Sequence, residues 1–201
     1  MTLMVTFMSM RRNQAGAYLQ AFLDEMPASR ARLAGLLQAG GANPAAAEDR
    51  TPASLDIVWN ALRPRFAWAP GYTLAPLGAP APPPDRAALG PEEGLPSWFP
   101  LDLHPSYATF SPATLWAVDA MGRHLGDVVI AQVPGTAWAA SRSARKNHIH
   151  QNKPVVTGLA AELNPIWAVS TAVGHTLRDQ AHQGAPRTLA DLYTNWVTDR
   201  G

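Results

Sequence analysis

The stretch Val128-Val129-Ile130-Ala131-Gln132-Val133 constrains the fold of this chain more than any other. Four of its six residues are β-branched and only Gln132 is polar. A run with no polar face must be enclosed on every side. Its β-branched character predicts a strand buried on both faces at the centre of a sheet. Pro134-Gly135 suits the central positions of a type II turn, so Ala137-Trp138-Ala139 reads as an antiparallel return. Pro154 to Thr157 reads as a third short strand.

Helical spacing dominates elsewhere. Leu19, Phe22 and Leu23 define an amphipathic segment over Asn13–Met26, interrupted by Pro27, and a second runs from Ala28 to Gly40-Gly41. Thr51-Pro52 is a cap-plus-proline start for a helix burying Leu55, Val58, Trp59 and Leu62. Ser111-Pro112 opens another, with Leu115, Val118, Gly122 and Leu125 on one face and Gly126 closing it. Asn164-Pro165 leads a helix with Ile166, Val169, Val173 and Leu177 inward, and Thr188 begins the last. The fold class expected is α+β: a small antiparallel sheet of about three or more strands covered by helices, with an N-terminal helical segment.

The length of 201 residues suits a single α+β domain over 13–201, preceded by a poorly ordered or loosely docked stretch over 1–12. Four methionines fall in the first ten positions, so Met8 and Met10 are alternative starts. The segment 74–97 holds APAPPPD and GPEEGLP, a composition that favours extended polyproline backbone and reads as a surface loop.

Composition excludes several functions. With 16 basic and 15 acidic residues the net charge is +1, too little for a positive field that would attract nucleic acid. The absence of cysteine removes disulfides, thiol catalysis and Cys-ligated metal sites, and fits the cytoplasm. No signal-peptide pattern or membrane-length apolar run is present, so no membrane association is expected. Phosphate loops, dinucleotide fingerprints, nucleophile elbows and HExxH are all missing. The expectation is no enzymatic activity and no cofactor or metal.

Three groups of residues stand out. The span SRSARKNHIHQNK gathers Arg142, Arg145, Lys146, His148, His150 and Lys153. If it is extended, His148 and His150 share a face and suit an anion or a ligand; otherwise it is a solvated loop. His175, Asp179 and His182 share a helix side facing away from the apolar stripe, so they read as a solvated face. Of the seven tryptophans, most read as core, whereas Trp68 and Trp98 flank the proline-rich loop and are the candidates for partner contact.

The helix into Leu125-Gly126-Asp127, Gly135 with Trp138, Pro154-Val155, Asn164-Pro165-Ile166 and the helix Leu189 to Trp196 together resemble a group of uncharacterised bacterial small α/β domains of unknown function, some of them immunity-protein-like. The likeness covers about 110–197, with Ser54-Leu55-Asp56 and Trp59 extending it upstream. It implies a fold and carries over no catalytic residues. The function expected is a non-enzymatic module that binds another protein, immunity-like or accessory, with homo-oligomerisation compatible with the low charge. The alternative is an enzyme or ligand-binding protein that holds an anionic substrate or a metal on loop 141–153.

Overall fold

One helix, α4 (Pro112–Gln132), runs through the middle of the protein. The structure is a computed structural model that describes residues 6–75, 82–143, 148–179 and 188–198. Ser111 starts α4 with extended backbone and an Oγ that accepts the Thr114 N–H at 3.2 Å; Pro112 follows where its missing donor costs nothing. From Thr114 to Val129 every residue except Trp116 and Asp127 is buried. Around α4 pack α2 (Met26–Ala39), α3 (Pro52–Leu62), α5 (Pro165–Asp179), α6 (Leu189–Thr198) and the strands β1 (Ala137–Ala140) and β2 (Pro154–Thr157).

Two expectations are corrected by α4. Val128 to Gln132 form its last turns and Val133 its C-cap, not a central strand. Full enclosure does not hold either: Val128, Val129 and Val133 are buried, but Ile130 is half-buried and Ala131 and Gln132 are exposed, so the run keeps one solvent-facing side as a helix allows. Gly126 does not close the helix; it lies inside it. A Cβ there would sit 2.1 Å from Cζ2 of Trp138, and one on Gly122 would sit 2.6 Å from Cδ1 of Ile166. These glycines, four apart on one face, let the hairpin and α5 approach the α4 backbone.

The sheet among the described residues has two strands, fewer than expected. β1 and β2 pair antiparallel, with Ala137 opposite Thr157 and Ala140 opposite Pro154. Gly135 takes φ 82°, as a Pro-Gly turn requires, but the turn joins α4 to β1 and does not link two strands. The α+β assignment therefore stands in coarse form, with helices dominant.

The N-terminal segment is docked from Thr6 onward. Phe7 is buried and its N–H donates to the Leu101 carbonyl at 3.0 Å, so this turn of the expected loose stretch is anchored, while residues 1–5 of that stretch lie outside the described residues. Pro27 occupies the first turn of α2, after α1 (Arg12–Asp24) has ended. The described part of the proline-rich segment also contributes to the core. Leu89 and Leu95 are buried, and Arg86 holds the strap down by donating to the carbonyls of Phe99 and Asp102.

A charged cluster is built into the α2–α4 side of the core. Arg123 donates from Nε to Asp119 Oδ1 at 2.9 Å and from Nη2 to Glu25 Oε2 at 2.6 Å, and its guanidinium lies over the Phe22 ring. Trp98 Nε1 donates to the same Asp119 oxygen at 3.1 Å. Trp98 is only 3% exposed, so its expected role in partner contact is replaced by a core one.

Candidate functional site

Lys153 and Asp102 locate the site. Lys153 follows Asn152, whose backbone adopts φ 64°, a left-handed conformation that asparagine tolerates better than most residues. The Asn152 N–H donates to the Ser141 carbonyl, and its side-chain Nδ2 donates to the carbonyls of Phe7 and Met10 at 2.7 and 3.1 Å. The β1–β2 loop is thereby folded against the N-terminal turn. Lys153 is carried inward, where Nζ meets Asp102 Oδ2 at 2.6 Å with both side chains less than a tenth exposed.

Over this ion pair opens a groove of about 360 Å³, formed by the Phe7–Ser9 turn, the 101–105 segment and the hairpin loop. Its walls carry Met8, Leu103 and Ile149, which are 51, 56 and 53% exposed. Ile57 on α3 is the one other exposed large hydrophobic side chain among the described residues. Apolar exposure is thus concentrated in one concavity, the pattern that marks a contact surface and not scattered surface residues.

The basic loop contributes differently from its sequence reading. Arg145 and Lys146 lie outside the described residues. Arg142 is exposed and donates to the Arg12 carbonyl at 2.9 Å, and Lys153 is neutralised by Asp102. Residues 148–152 form a turn, not a strand, yet it brings the two imidazoles together, 5.6 Å between centroids and perpendicular. His148 Nε2 is 3.9 Å from Glu162 Oε2, which also accepts the Ser141 hydroxyl at 2.6 Å. Burial, with Lys153 and His148 adding to it, lowers the His150 pKa to about 4. His150 is therefore neutral at pH 7, and Asn164 Nδ2 sits 3.3 Å from its Nδ1. Among the described residues of the loop, Lys153 is paired and His150 is neutral, while Arg142 is exposed and keeps its charge. Among the described residues no three His, Asp or Glu side chains are grouped as metal ligands.

Two Ser–His contacts exist among the described residues, and in neither is a carboxylate hydrogen-bonded to the imidazole. Ser106 Oγ lies 2.6 Å from His104 Nδ1, and burial lowers the His104 pKa. Asp102 meets Lys153 and accepts the His104 backbone N–H, and among the described residues no carboxylate is hydrogen-bonded to that ring. Ser54 is 2.8 Å from His124 Nε2, but both are sealed in the core and the Ser54 proton is directed to the Thr51 carbonyl.

Trp68 is half-buried, stacked on Phe110 at 5.7 Å, and lines a separate cleft of about 210 Å³ with Trp167 and Arg178. His175 is exposed on α5, while the Asp179 side chain and His182 lie outside the described residues. No family model, curated protein or solved structure matches this chain. No helix among the described residues is long and apolar enough to cross a membrane. Sequence reasoning missed Met8, Leu103 and Ile149, because isolated apolar residues in polar loops carry no periodic signal.

Proposed function

We propose that this chain is a non-enzymatic protein-binding module, immunity-like or accessory in its role, that docks an apolar element of another protein in the Met8–Leu103–Ile149 groove. The supporting observation is that three of the four exposed large hydrophobic side chains among the described residues meet there. A groove of this size admits one or two large side chains, which suits an anchor residue inserted from a partner. The floor is already charge-balanced by the Lys153–Asp102 pair, so the occupant needs no charge of its own. A cysteine-free chain fits a cytoplasmic setting for such a module.

The test is a photo-crosslinking residue placed in turn at Leu103, Ile149 and Ile57 and activated in cells. The expected result is one discrete adduct from positions 103 and 149 and none from 57, with the adduct lost on adding Leu103→Asp to the Ile149 probe. Equal labelling from all three positions, or none from the groove, rejects the reading. An adduct at twice the chain mass identifies a second copy as the occupant, in place of a different protein.

A further inference from the structure

We propose that the turn carrying Ile149 is a pH-sensitive wall of the groove: a proton added to His150 frees the turn from the start of α5 and takes Ile149 from its place. Ile149 stands between His148 and His150 in the chain, at the head of the turn over 148–152. The turn is closed by the Gln151 N–H donating to the His148 carbonyl and the Lys153 N–H to the His150 carbonyl, both at 2.9 Å.

The contact that holds His150 also fixes where its proton sits. Asn164 is buried and immediately precedes α5, where its Oδ1 accepts the Trp167 N–H at 3.0 Å. That bond orients the amide, so the Nδ2 that faces His150 Nδ1 at 3.3 Å is the donor and the ring nitrogen the acceptor. The neutral ring therefore carries its proton on Nε2, and a second proton can enter only at Nδ1. There it sets one N–H against another and breaks the contact.

The surroundings compensate the added charge poorly. Lys153 and His148 oppose it, and the His148 ring is 5.6 Å away. Glu162 and Asp102 favour it, but Glu162 already accepts the Ser141 hydroxyl and Asp102 holds Lys153 Nζ, each at 2.6 Å. From α5 the Trp167 indole packs against His150 at 6.1 Å, and the same indole meets His104 at 4.6 Å. The ring titrates at about 4 in the closed turn and near 6.5 once free, so the opening equilibrium rises about twentyfold from pH 7 to pH 5. What this does to a partner rests on the groove reading above; the opening itself does not.

The experiment is amide hydrogen exchange of the free, full chain at pH 7 and pH 5, corrected for the pH dependence of intrinsic exchange. Protection of Gln151 and Lys153 is expected to fall about twentyfold, while Val128 and Val129 in α4 stay better protected at both values. His150→Gln offers Asn164 an acceptor that does not titrate, and is expected to abolish the fall. Asn164→Asp keeps an acceptor for the Trp167 N–H and welcomes an imidazolium, so protection of its turn is expected to hold or rise at pH 5. Equal protection of the wild-type turn at both pH values, a full fall retained in either variant, or α4 amides no better protected than the turn overturns the proposal. A turn that opens as expected while position 149 gives no adduct in cells supports the switch and rejects the groove reading alone.

Discussion

His124 shows how burial sets chemistry residue by residue. Because the Ser54 hydroxyl donates to the Thr51 carbonyl, the imidazole Nε2 donates to Ser54 Oγ, and burial lowers the His124 pKa to about 4. The unfolded imidazole titrates near 6.5, so between these values the unfolded chain binds a proton that the native state refuses. Stability is complete above about pH 6.5 and falls towards pH 4, by about 3 kcal/mol for this residue. Urea midpoints measured from pH 7 to pH 4.5 should trace that decline, and His124→Gln should flatten it. His104 and His150 are lowered by burial too and act in the same direction. The Lys153–Asp102 pair behaves as a unit. Lys153→Met strands a buried carboxylate and should cost about 3–5 kcal/mol, with much of that recovered by adding Asp102→Asn. If the single change has little effect on the urea midpoint, the pair is not the anchor described. Lys153 belongs to the basic stretch that its sequence singles out, but its partner lies fifty-one positions earlier and nothing local announces it.

At the scale of elements, the α4–hairpin contact is the most exacting. Alanine is ordinarily worth about 1 kcal/mol over glycine inside a helix. At Gly126 the added methyl meets the Trp138 indole, so Gly126→Ala should instead destabilise the protein by about 2 kcal/mol, and Trp138→Leu should relieve the clash. Thermal unfolding of the two single variants and the double variant reads this coupling directly; a gain in stability for Gly126→Ala would refute the packing. The helix starts at Pro52, Pro112 and Pro165 are legible because proline and its preceding residue act locally. The identity of Val128–Gln132 is not legible from its own composition. β-Branched residues lower helix propensity only slightly, and the packing of α4 against six other elements outweighs that preference.

For the whole molecule, the N-terminal turn joins distant parts of the chain. Phe7 fills the core, pairs with Leu101 and offers its carbonyl to Asn152, so one turn supports both the groove wall and the hairpin loop. A chain beginning at Met8 or Met10 lacks Phe7 and should lose about 3–5 kcal/mol, comparable to deleting a buried phenylalanine side chain. Denaturation of the three lengths side by side checks this, and equal stability would show the turn to be dispensable.

Local chemistry in the sequence determined the helix starts, the Pro134-Gly135 turn, the burial of Val128, Val129 and Val133 and the concentration of candidate ligands in one loop. Those features depend on backbone dihedrals, capping and hydrophobic spacing within a few residues. Only the tertiary structure decided that the Val128–Gln132 run is helical, that Trp98 is core, and that Met8, Leu103 and Ile149 share a groove. Each of those outcomes depends on which surfaces, far apart in sequence, compete to cover the same apolar area, and burial is a property of the assembled chain.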